Sequence, residues 1–124
     1  MKKLITLLVL AFASLQLNVA MAHGNVKPEH GGILKLVGET TYELVVKTDS
    51  VELYVVDDEE PLISAGLSAK LLVTSGSDKS EVLLKPAGSN KFEALGVKLP
   101  SGAKVGALVT LANKRKLGAN FIVK

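Results

Sequence analysis

Apolar and polar residues alternate with a period of two through most of this chain, and that spacing confines it to β-structure. Tyr42, Leu44 and Val46 alternate with Glu43 and Lys47, and Val51, Leu53 and Val55 with Glu52 and Tyr54. Leu34 and Leu36 flank Lys35, Leu71 and Val73 follow Lys70, Val82 and Leu84 interleave with Glu81 and Lys85, and Phe92 and Ala94 flank Glu93. Val105, Ala107, Val109 and Leu111 form one face of a longer run, and Leu117, Ala119, Phe121 and Val123 one face of the last. Side chains of a strand point alternately to opposite faces, so each run has one face to bury and one to solvate. No stretch from Gly32 to Lys124 carries a helical period.

Turn chemistry separates the runs: Val37-Gly38-Glu39, Thr48-Asp49-Ser50, Ser75-Gly76-Ser77-Asp78, Pro86-Ala87-Gly88-Ser89-Asn90 and Pro100-Ser101-Gly102. The acidic segment Asp57-Asp58-Glu59-Glu60-Pro61 breaks the alternation and leads into Leu62–Leu67, which reads as a crossover between sheets. The pattern predicts an all-β fold: seven or eight short antiparallel strands in an Ig-like Greek-key β-sandwich, with a small β-barrel as the alternative. Leu53, Val55, Val73, Val109 and Phe121 should lie near the centre of its core.

The first residues are of another kind. Lys2 and Lys3 precede an apolar run from Leu4 to Leu15, and Ala20-Met21-Ala22 offers the small residues that signal peptidase requires. The run is short for a bilayer span, and no stop-transfer pattern follows. The organisation expected is a signal peptide over 1–22, an N-terminal arm over 23–32 and one domain over 33–124, in a periplasmic protein. Of the 15 basic and 12 acidic residues, Lys2 and Lys3 would leave with the signal peptide, so the mature charge is near balance. Its longest basic cluster, Lys114-Arg115-Lys116, reads as a turn, so neither nucleic acid nor, after cleavage, a membrane is an expected partner.

Chemistry is sparse. There is no Cys, and both Met residues, Met1 and Met21, fall in the segment to be removed, so the mature chain has no soft sulfur ligand. Both His residues, His23 and His30, precede the first strand, and no Gly-rich phosphate loop opens a helix, so no enzyme is expected. Cleavage after Ala22 would make His23 the N-terminal residue. Its amine and imidazole could then chelate one metal ion, with the His30 imidazole as a third nitrogen. Glu29, or the Asp57 and Asp58 pair, could add an oxygen. A metal site of this kind takes Cu(II) before Zn(II), with the ion and an envelope protein as candidate partners. The other reading gives His30 a structural role, as the turn residue that brings the chain into its first strand.

Pro28-Glu29-His30-Gly31-Gly32, Tyr42-Glu43-Leu44-Val45 and Val51-Glu52-Leu53-Tyr54-Val55-Val56-Asp57 together resemble a group of small secreted bacterial proteins with a His-Gly-Gly opening. The chain is also similar to segments associated with the metal-efflux periplasmic adaptor proteins. The resemblance implies a periplasmic β-sandwich linked to metal handling through His30, with Glu43 beside it as a candidate. With two His and no Met cluster, this chain departs from the His-rich members and from a high-capacity store. Two functions are carried forward: a non-enzymatic metal-binding protein in metal homeostasis or efflux, and a metal-free envelope module that binds another protein.

Overall fold

A computed structural model describes residues 27–124. Nine strands account for the alternating runs: β1 (Ile33–Val37), β2 (Thr40–Val46), β3 (Ser50–Asp57), β4 (Glu60–Pro61), β5 (Ser68–Ser75), β6 (Asp78–Pro86), β7 (Lys91–Leu95), β8 (Lys104–Thr110) and β9 (Lys116–Ile122). All pairings are antiparallel, and the described residues contain no helix.

The strands follow one path, β1-β2-β3-β7-β6-β5-β8-β9, with the two-residue β4 beside β3. Within it, β8-β5-β6-β7 has the order of a Greek key, in which the fourth strand returns beside the first. β6 pairs with β5 from Asp78 to Leu84 and with β7 only at Lys85 and Pro86, so it joins two sheets at a corner. The path curls until β1 lies against β9, leaving the barrel almost closed. Sandwich and barrel are here two descriptions of one all-β arrangement, with a single core between its halves.

Tyr42, Leu44, Val51, Leu53, Val55 and Phe92 enter that core from one half, and Leu71, Val73, Val105, Val109 and Phe121 from the other. Leu53, Val55, Val73, Val109 and Phe121 are all buried, as the alternation predicts. The core is thus assembled from one face of every long strand.

In β1 the faces are reversed from expectation. A two-residue loop opened by Gly38, whose φ is +60°, pairs Val37 with Thr40 and so fixes the hairpin register. That register sets Ile33 opposite the core residue Leu44, and Leu34 opposite Glu43 on the outer face. Leu36, also outward, stays exposed. Lys35 interrupts the phase of Ile33 and Val37, so the alternation favours Leu34 and Leu36 as the inward pair, and the turn overrides that preference.

The acidic segment forms a tight reversal: Asp57 pairs with Glu60, and Asp58 and Glu59 both take positive φ, 53° and 66°. Such a turn normally selects Asn and Gly. Leu62–Leu67 then crosses to β5, held by the Ser64 amide and hydroxyl, both of which donate to the Ser89 carbonyl oxygen.

Candidate functional site

The residues before β1 lie across the outer face of β2 and β3. Gly31 turns the chain with φ +73°, and Gly32 then approaches β2 so closely that no side chain fits. A Cβ there would sit 2.5 Å from the Leu44 carbonyl oxygen and 2.9 Å from Val45 Cγ2. The close approach covers Glu43, an outward residue in mid-strand, to 4% exposure.

Glu43 does not lie there unsatisfied. Its Oε2 accepts the backbone N–H of His30 and of Gly32, each at 2.8 Å, and its Oε1 lies 2.8 Å from His30 Nδ1. Burial pushes the Glu43 carboxyl toward the neutral form. The His30 ring, the two backbone N–H groups and the positive charge available to His30 outweigh it, and the carboxyl titrates below its ordinary range. An ionised carboxylate can only accept, so the shared proton sits on Nδ1. In the neutral imidazole Nε2 then carries the lone pair.

The His30 ring lies flat on Tyr54 of β3, with centroids 3.6 Å apart and planes 4° from parallel. Carboxylate and phenol ring together fix the imidazole in plane and in rotation, while its side chain keeps 37% of its surface in solvent. Glu29, Lys27 and Leu34 line the same cleft of about 160 Å³. Leu34 belongs there because β1 turns that face outward.

Tyr54 links this site to a second buried carboxylate. Its hydroxyl donates to Glu52 Oε1 at 3.1 Å, while Lys47 and Lys91 approach Glu52 Oε2 at 3.3 and 3.5 Å. Burial opposes ionisation of Glu52, but Lys47, the Tyr54 hydroxyl and Lys91 prevail and hold it below the usual carboxylate range. The Tyr54 hydroxyl is pushed up to about 12, by burial first and then by Glu52, Glu43 and Glu93.

Of the residues singled out in the sequence, His30 and Glu29 share one cleft, and His23 lies outside the described residues. Asp57 accepts a hydrogen bond from the Thr40 hydroxyl at 2.7 Å and Asp58 forms part of the β3–β4 turn, so neither belongs to the cleft. Among the described residues no group of three His, Asp or Glu side chains converges. Alternation alone does not reveal Glu43 or Glu52 as buried, because both occupy outward positions. The usable signal for Glu43 is the flexible, side-chain-free Gly31-Gly32 directly after His30. No protein-family model, curated protein or solved structure matches the chain.

Proposed function

We propose that this is a non-enzymatic protein of the periplasm, exported by cleavage after Ala22, that binds a divalent transition metal through His30. The observation that carries this reading is the Glu43 carboxylate on His30 Nδ1. A histidine that ligates a metal through one ring nitrogen commonly donates the other ring N–H to a carboxylate, which orients the ring and raises its basicity. Glu43 acts on this reading as the orienting group, not as a ligand. His30 supplies Nε2, exposed Glu29 supplies an oxygen, and the amine and imidazole of His23 complete the set from seven residues upstream. Nitrogen-rich sites of this kind suit Cu(II) before Zn(II).

Competitive titration of the exported, processed protein with Cu(II), against a chromophoric chelator, tests the proposal. Glu43→Gln should weaken Cu(II) by roughly tenfold to a hundredfold. His30→Ala should weaken it further, and a residue added ahead of His23 should also weaken it. Should His30→Ala hold Cu(II) as tightly as the unaltered protein, the site is not here, and the arm is a structural clasp.

The second reading, a metal-free envelope module that binds a partner protein, has its own support in the corner where β6 leaves β7. There Leu83 and Leu95 are exposed on either side of a groove of about 580 Å³. Among the described residues, the β6 edge from Asp78 to Leu84 has no strand beside it except β5. Cu(II) binding abolished by His30→Ala would favour the first reading over this one.

A further inference from the structure

The outer faces of β5, β6, β8 and β9 form one continuous surface whose residues follow from the registers. One cross-strand row reads Lys79, Thr74, Lys104, Ile122, and the next Glu81, Leu72, Gly106, Asn120. The third reads Leu83, Lys70, Leu108, Gly118, and Lys116 follows beside Thr110. Lys35 of β1 reaches the same surface across the seam, where it lines a groove of about 500 Å³ with Lys104, Leu72 and Ile122. Gly106 forms the floor of that groove: a Cβ there would meet Asn120 Oδ1 at 3.3 Å and Leu72 Cβ at 3.9 Å.

Only one of these lysines has a carboxylate partner among the described residues, Lys70 with Glu81 at 3.8 Å. Lys35, Lys79, Lys104 and Lys116 are exposed. Between them stand aliphatic side chains open to solvent: Leu72 at 43%, Leu83 at 70% and Ile122 at 62% exposure.

We propose that this face docks on an anionic phospholipid bilayer. From β6 to β1 the lysines span four inter-strand steps, roughly 20 Å, wider than one small anion could neutralise. An extended anionic surface can meet all of them together, and each lysine near such a surface adds attraction. The exposed leucines and Ile122 fit the acyl boundary beneath the headgroups, where apolar side chains are buried. A nucleic acid or polysaccharide would gain little from those aliphatics, and the face offers neither an aromatic ring nor an arginine to stack on bases. The surface escapes a reading of the sequence because its lysines come from five strands and are adjacent only after folding. It shares no residue with the His30 cleft, so this proposal and the metal reading stand or fall separately.

The test is co-sedimentation of the exported, processed protein with vesicles of equal parts phosphatidylglycerol and phosphatidylcholine, and with phosphatidylcholine alone, at low ionic strength. The protein should favour the anionic vesicles, and added salt should release it. Lys35→Gln and Lys104→Gln should each weaken binding about fivefold, with Lys79→Gln and Lys116→Gln as a second pair should the first alter thermal unfolding. Leu72→Ser with Ile122→Ser should weaken binding further at unchanged salt dependence, whereas Lys98→Gln, beside Asp49 at the far sheet, should leave it unchanged. Equal binding to neutral vesicles, or lysine variants that bind as the parent does, would overturn the proposal. So would heparin binding of equal strength that ignores Leu72 and Ile122, which would assign the face to a soluble polyanion.

Discussion

The two outer faces of this barrel treat charge in opposite ways. On β2, β3 and β7 the carboxylates are interleaved with partners: Glu43 with the His30 ring, Glu52 with Lys47 and Lys91, and Glu93 with Lys91. An arm of the chain covers part of that face, and two of its carboxylates are buried. On β5, β6, β8 and β9 the lysines stand in solvent with one acidic partner among them. The first face is organised inward, as part of the folded structure; the second is left available to something outside it. The strands of both faces alternate alike, so what distinguishes them is tertiary: where the arm lies, and which outward residues the registers bring together.

The largest expected difference is in stability. Glu43→Leu removes the acceptor of two backbone N–H groups and a ring N–H, all converging on a carboxylate that is 4% exposed. Buried donors left without partners cost about 1–3 kcal/mol, so the change should lower the unfolding free energy by about 3 kcal/mol in a urea titration. Lys104→Leu, on the other face and equally apolar, should change it by no more than about 0.5 kcal/mol. Comparable losses at the two positions would break the distinction. Equal and negligible losses would show that the arm is only loosely seated over Glu43.

Acid should separate the faces next. The Glu43 and Glu52 carboxyls titrate lower in the folded chain than the ordinary glutamate value of 4.5. Their contribution is therefore complete above about that pH, and it is lost as the pH falls through the lower folded-state values. Urea midpoints measured from pH 6 down to pH 2 should decline through this window. Glu43→Gln and Glu52→Gln should each start lower and decline less, because neither side chain can take up the proton. Glu81→Gln, whose exposed carboxylate meets only Lys70 at 3.8 Å, should leave the decline unchanged. A decline of the same depth in all the variants would place the acid sensitivity elsewhere.

How far the sequence could anticipate this contrast differs from one feature to another. Alternation identified the buried face of β2, β3, β5, β8 and β9, because in each of them one phase is apolar nearly throughout while the other is mixed, with polar residues among outward aliphatics such as Leu72 and Ile122. It assigned β1 to the wrong phase, because Leu34 and Leu36 flank Lys35 in the sequence whereas the turn at Gly38 sets a register that turns those two leucines outward. The sequence marks His30 as a candidate and, by resemblance, Glu43, but not the hydrogen bond between them, which depends on the arm folding back over a strand that follows it. Glu52 reads as a solvated position because Lys91 of β7 meets it only once the strands are paired, and such covering leaves no periodic trace. The lysine face was invisible in principle, since sequence neighbours such as Lys114-Arg115-Lys116 reveal contiguous charge and not charge assembled across strands.

The smallest expected effect is also the most diagnostic, because its sign differs between the faces. Lys91→Glu replaces a cation that neutralises Glu52 and Glu93 with a third carboxylate, and should destabilise the fold. Lys104→Glu enters a surface dominated by cations, where it relieves repulsion and can attract Lys35 across the shared groove. Exposed pairs contribute little, so the gain should be about 0.3 kcal/mol, read as a rise in the midpoint of thermal unfolding at low ionic strength. Added salt should erase it by screening both states. A chain that becomes more stable as it loses a lysine, and at the same time loses its preference for anionic vesicles, would show that this lysine does not serve the fold. A loss of stability at Lys104→Glu equal to that at Lys91→Glu would mean instead that the lysine face is structural, and the contrast between the two surfaces would fail.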